Sequence, residues 1–482
     1  MKTLSHAVLA LAASLICLAA FSAHAADKLV VYPAPKGAAL NDDFAVRVRT
    51  PDGPWHSVAV HLIHVMNASG GVYVPMKSSM AAFDFAGRVE VEVTSRRAIE
   101  SARVRPLSFA IRPAVRGRAL TFTLDRPRNL SIEVNGDIFG NLQLFANPLE
   151  ANRPDPKDPG VIYFGPGIHV LRGGEKRNAL LVPRGKTVYL AGGAIVRGNI
   201  ICRGVENVRI LGRGMVEQSA RKGGGSVHCG NSRHVEISGI FTPGCFTGGS
   251  RDVRITGVKC ISYLGNGDGM EVISSSDVVI DGVFNRNSDD CITVYGPRSH
   301  FTGPAKDVIV RNSTLWADVA HPILIGTHGS TPHPQTLENL TFRNLDILDH
   351  NETQIDYQGC LALNAGDSNL IRNVRFEDIR VEDFRRGQLL NLRVFFNRKY
   401  CTSPGRGIEN VTFQNVTYTG RHAEQSHIIG YDDARAVRNI RFKNLVINGT
   451  RISDHMKKPR WFRTSDLARI FIGEHVENLR FQ

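Results

Sequence analysis

Residues 285–296 read NRNSDDCITVYG, with the adjacent acids Asp289 and Asp290 at the mouth of a strand-forming run. Neighbouring side chains in a strand point to opposite faces. A solvated turn uses such residues, and so does a pair of catalytic carboxylates. The surroundings favour the second reading. Twenty-one residues before Asp289, Asp268 in GNGDG precedes the strand-like MEVISS, and His321 in AHP precedes ILIGT. If these three strands stack at the usual spacing of roughly 4.7–4.9 Å, three carboxyl groups and an imidazole meet at one corner. Gathering like charges in a partly dry site raises the pKa of at least one of them, which is how a general acid is made.

Such stacking needs a repeating scaffold. One pattern recurs ten times: NVRILG at 207, HVEISG at 234, DVRITG at 252, DVVIDG at 277, DVIVRN at 307, NLTFRN at 339, NVRFED at 373, NVTFQN at 410, NIRFKN at 439 and NLRFQ at 478. A second strand row precedes most copies: FTGGS, MEVISS, ITVYG, ILIGT, LALNA, LLNLRV, HIIGY and IFIGE. Turns rich in Gly, Asn, Asp and Ser join the rows, and no amphipathic helices separate them to build βαβ units. A stack of rungs with an apolar bore and asparagine ladders at its corners, a parallel β-helix, satisfies this pattern. Cys291 is expected in the bore with Ile292 and Val294.

Residues 26–150 differ. FAVRVRT, RVEVEVT, ALTFTL and LSIEVNG alternate apolar and polar residues between turn signals, as in a half-buried antiparallel β-sandwich. The proline-rich stretch NPLEANRPDPKDPG supplies a linker over 151–160, and the β-helix is expected over 161–482. The whole is all-β. At the start, a lysine, an apolar run and Ala23-His24-Ala25 form a signal-peptide pattern over 1–25. A secreted or periplasmic protein is expected, with no other run long enough to cross a bilayer. Seven of the eight cysteines follow that segment, in no C-x-x-C spacing, so no zinc or other metal site is expected. The net charge is +14, of which the first 25 residues hold only Lys2. The arginines are scattered rather than blocked, which gives a basic surface and no nucleic-acid patch.

NGDG, NSDDC and the His321 segment on successive rungs resemble the polygalacturonase-type glycoside hydrolases, a resemblance that covers residues 160–482. It implies a right-handed parallel β-helix and an inverting hydrolase that needs no cofactor. Asp289 would be the general acid, with Asp268 and Asp290 holding and deprotonating the water. Inversion implies an acid–base separation of roughly 6.5–9.5 Å. His321 is preferred over His328 in THG because it shares the strand-mouth position of the aspartates. Pectin-cleaving relatives carry R-x-K one rung further on, where this chain has Ala362 and Asn364. A sandwich ahead of the β-helix is similar to the dextranase and isopullulanase group, which cleaves neutral α-glucans.

His321, Tyr357, Gln358, Asn364, Arg386 and His427 are therefore expected to bind sugar, and a neutral polysaccharide or oligosaccharide is expected over polygalacturonate. Arg386 could supply a displaced cation for the pectin reading. The insertions GPRSHFTGPAKD and RVFFNRKYCTSPGRG could close one end of the cleft. Two other functions use a β-helix. A non-catalytic carbohydrate-binding β-helix has no need of the acidic cluster. A β-helix polysaccharide lyase would need Ca²⁺ and a basic residue at this corner.

Overall fold

The computed structural model describes residues 27–173, 178–217, 226–421 and 423–482. The signal-peptide pattern of 1–25 lies outside them. Among the described residues the only helical turns are Leu107–Phe109 and Thr464–Leu467, and none is long and apolar enough to cross a membrane.

The chain begins as two packed sheets. One has five strands, the other six, including the long hairpin Val60–Ser69/Val72–Ala86. Alternation on strands such as Phe44–Arg49 and Val89–Ser95 turns one face inward, and Val48, Phe83, Val91, Leu120 and Ile132 fill the space between. The pairing is antiparallel with one exception. Leu142–Pro148 lies parallel to Val72–Ala86, which the alternation pattern cannot reveal. Parallel neighbours require a long crossover, and here the intervening chain builds strands of both sheets.

From Val161 onward the described residues wind into a parallel β-helix of a nineteen-stranded and an eleven-stranded sheet. The ten repeats lie in the first, and the second row forms the later strands of the other. Each repeat opens on a residue in the left-handed region, from Asn207 (φ 56°) through Asp277 (56°) to Asn478 (51°), including His234 (54°). Asn and Asp tolerate this conformation because their short polar side chains bond locally. Their amides then ladder: Asn339 donates to Asp307 at 2.9 Å, Asn410 to Asn373 at 3.1 Å, and Asn478 to Asn439 at 2.7 Å. Inside the bore Phe342, Phe376, Phe413, Phe442 and Phe481 stack at 4.8–5.1 Å. All seven described cysteines are buried free thiols, Cys291 among the bore residues.

The sandwich is locked to the β-helix through buried charge. Arg286 pairs with Asp318 at 3.0 Å and lies 4.0 Å over the ring of Trp316, while bonding Asn141 of the sandwich. Arg105 reaches from the sandwich to Glu382 at 2.7 Å. Asp318 also accepts from the Met66 backbone at 3.2 Å, and Asn351 donates to the Ala68 carbonyl at 3.0 Å. These bonds lay the hairpin along one corner of the β-helix.

Phe413→Ala, which opens a gap in the middle of the ring stack, should lower the free energy of unfolding by ~3–5 kcal/mol, measured by urea denaturation. A change below ~1 kcal/mol would show that the stack is not tightly packed.

Candidate active site

The corner is built by register. Met270 pairs with Ile292 and Ile292 with Ile323, so Asp268, Asp290 and His321, each two residues earlier, share one column. Backbone bonds carry the register round the turn: Gly269 N–H donates to the Asp290 carbonyl and Cys291 N–H to the His321 carbonyl, both at 2.8 Å. Gly269 has to be glycine. A Cβ there would lie 2.4 Å from Asn287 Oδ1 and 2.6 Å from the Cys291 carbonyl. Asp289, one residue before Asp290, faces the cleft and accepts the Asp290 N–H at 3.1 Å.

Oxygens of Asp268, Asp289 and Asp290 all lie within 4.8 Å of one another. That is closer than the separation expected for an inverting pair, because backbone pairing sets the rung spacing. Both Asp290 oxygens are engaged, with one acceptor site left on Oδ2. Its Oδ1 accepts from the His321 backbone at 3.0 Å and from ring Nδ1 at 2.7 Å, and its Oδ2 accepts from the Tyr295 hydroxyl at 3.1 Å. His321 Nε2 faces the Tyr357 carbonyl. Two acceptors on one ring require both N–H groups, that is, imidazolium. Burial opposes that charge, but Asp290 and Glu352 outweigh it and raise the pKa to about 9. Asp289 is pushed up to about 7, first by burial and then by Asp290, with His321 pulling back. Asp268 rises well above its ordinary value through burial, Asp289 and Glu271.

The sugar-binding expectations fare unevenly. His321 is wholly buried with both ring nitrogens committed, so it braces Asp290 and cannot reach a sugar. Gln358 and Asn364 are also fully buried, bonded to the Glu352 carbonyl and to Asn391. Ala362 and Tyr357 sit with Phe395 and Cys401 in an apolar layer. The second insertion thus covers the rung that carries R-x-K in the pectin-cleaving pattern. Arg386 lies three rungs beyond Asp290 and pairs with Glu424 at 3.3 Å. His427 lies one rung further. His328, past its strand, packs edge-on against Tyr295. Of the six, only Tyr357 borders the cleft containing Asp289.

That cleft, about 520 Å³, has walls that pattern reading missed: the hairpin tip Ser69-Gly70-Gly71 with Tyr73, the acid Glu352, and Lys399 and Tyr400 of the insertion. Tyr400 stacks on Tyr357 at 4.5 Å. A local signal existed only for the insertion, whose length and aromatic content stand out. The hairpin is distant in sequence, and only docking brings it here.

Residues 247–464 match the family described as Glycosyl hydrolases family 28. Probable endopolygalacturonase D of Neosartorya fischeri is 26% identical over 229 residues, covering 46% of this chain and 44% of the relative. Endopolygalacturonase B of Aspergillus niger is 26% identical over 171 residues, covering 34% and 42%. The chain thus spans less than half the length of these relatives. Dex49A from Penicillium minioluteum superposes with a TM-score of 0.61 at 13% identity, covering 94% of this chain and 96% of its own. The likeness therefore extends over both parts of the fold.

A histidine whose pKa is raised on folding adds stability that is complete below its ordinary 6.5 and disappears as pH climbs through about 9. Relative to His321→Gln, the wild-type protein should therefore lose on the order of 3 kcal/mol between those limits. Denaturant unfolding across pH measures this, and a constant difference would mean that His321 is not charged.

Proposed function

We propose that this polygalacturonase-like β-helix protein, with its family 28 glycoside hydrolase segment, is an exported hydrolase that cleaves a polysaccharide with inversion. The observation that carries the reading is the group of three aspartates within 4.8 Å at one corner, braced by a doubly bonded His321. Asp289 is the general acid. It faces the cleft, and a pKa near 7 leaves it protonated in mildly acidic to neutral solution. Asp268 and Asp290 hold the water, and Asp290 takes its proton. A water donating to two carboxylates at ~2.7 Å each bridges oxygens ~4.3 Å apart, which is compatible with the spacing at this corner. The N-terminal A-x-A pattern supports export.

The short separation also favours a retaining reading, in which one carboxylate attacks the sugar. The engagement of both Asp290 oxygens argues against it as that nucleophile. Proton NMR of the first-formed anomer decides between them. Inversion is expected, and retention would overturn it.

For the substrate, the cleft's own charges support a neutral glycan. Asp289 and Glu352 line it against Lys399, whose ammonium bonds Gln354 at 2.9 Å. Lys399 is the one cation among the described lining residues, so a sugar carboxylate bound there would have that ammonium alone to pair with and would face the acid Glu352, at a cost in desolvation. The names of the relatives point instead to polygalacturonate. Reducing-sugar assays on polygalacturonate and on neutral α-glucans separate the two, and efficient turnover of polygalacturonate would reverse the assignment.

Asp289→Asn should cut kcat about 10²–10⁴-fold on the true substrate with folding intact. Because the acid must carry its proton, wild-type kcat/KM should fall as pH rises through about 7. Undiminished activity in Asp289→Asn would remove it from the role.

A further inference from the structure

Behind the aspartates stands a cation that the mechanism above does not use. Arg298 sits on the tight turn after Ile292–Tyr295, held by a bridge to Phe301. Its Nη1 lies 2.9 Å from Glu271 Oε1, and its guanidinium carbon lies 5.0 Å from the centroid of the Tyr295 ring. Glu271 and Tyr295 occupy adjacent rungs, where Glu271 pairs with Thr293 and Ile273 with Tyr295. Met270, Val272, Ile292 and Val294 fill the bore, so alternation turns Glu271 and Tyr295 outward together.

Each of these residues reaches one aspartate. Glu271 shares a side-chain hydrogen bond with Asp268, and the Tyr295 hydroxyl donates to Asp290 Oδ2 at 3.1 Å. We propose that Arg298 is a positioning residue that supports both carboxylates assigned to the water, holding Asp268 through Glu271 and Asp290 through Tyr295. This rests on the hydrolase reading above.

A hydrogen bond between two carboxyl groups needs one proton between them. Asp268 faces Glu271, Asp289 and Asp290, and burial with these three acids raises its pKa strongly. Glu271 is also raised by burial, but Arg298 opposes the rise. The proton therefore rests on Asp268 and is donated to an ionised Glu271, leaving the other Asp268 oxygen to accept from water. The salt bridge keeps Glu271 an acceptor. The ring contact, a cation over a π face, fixes the Tyr295 hydroxyl toward Asp290. His321 braces Asp290 at its other oxygen, and His328 packs nearly perpendicular to the Tyr295 ring. Removing Arg298 loosens both arms at once, and small misplacements at a reacting centre are costly.

The test combines kinetics with a titration that needs no substrate. Arg298→Met should lower kcat about tenfold to a hundredfold with KM changed less than about twofold. Arg298→Lys should recover part of the loss, because an ammonium can still pair with Glu271. In protein carrying ¹³C at the aspartate carboxyl carbons, with the Asp268 signal assigned by Asp268→Asn, Glu271→Gln should move the Asp268 midpoint down by about one unit or more. Tyr295→Phe should leave that midpoint in place. An unchanged kcat in Arg298→Met, or an unmoved Asp268 midpoint in Glu271→Gln, would overturn the proposal. If the midpoint moves as expected while Asp289→Asn stays active, the support stands and the assignment of the general acid fails.

Discussion

Rung-to-rung backbone pairing is the constraint on which the site depends. Parallel strands lie at a nearly fixed spacing, so any residue type repeated at one offset becomes a column of touching side chains. At the corners this gives asparagine ladders, and in the bore stacked phenylalanines. At the corner before Met270, Ile292 and Ile323 it gives Asp268, Asp290 and His321. Bringing carboxylates so near one another is unfavourable, and the fold compensates with hydrogen bonds and cations rather than with distance. His321 and Tyr295 satisfy Asp290, and Arg298 partly offsets the burial of Glu271. What would be a destabilising cluster in isolation becomes a set of acids with different affinities for protons.

The second requirement is docking of the sandwich. Buried ion pairs add little net stability, but breaking one is costly because a charge is left without a partner. Arg286, Asp318, Arg385 and Arg105 around Trp316 therefore act as a fixed joint. That joint holds the hairpin tip beside Asp289. The N-terminal part is thus a wall of the cleft as well as a neighbour of the β-helix.

Where the expected sugar contacts and the structure part, the cause is side-chain packing around the rungs of the β-helix. Asn364 occupies the anticipated rung position, yet the layer of Tyr357, Phe395 and Cys401 closes over that rung, and Asn364 turns to Asn391. His321 stands where the strand-mouth rule puts it, but its two nitrogens are consumed by Asp290 and a backbone carbonyl. Arg386 is several rungs away and neutralised by Glu424. The cleft beside Asp289 is lined instead by Glu352, Lys399, Tyr400 and the glycine-tipped hairpin.

The sequence by itself determined the parallel β-helix, the second strand row and the meeting of Asp268, Asp289 and Asp290. These follow from local rules: alternation, Asn or Asp at left-handed corners, and a shared offset before strands that must stack. Only the tertiary structure decided which polar groups around that centre are spent on one another and which face a cleft. It also decided the parallel placement of Leu142–Pro148 and the arrival of the hairpin tip from about two hundred residues upstream. Such contacts depend on insertion paths and on the mutual burial of distant side chains. No periodicity encodes those, because they are settled by packing in three dimensions rather than by the spacing of residues along the chain.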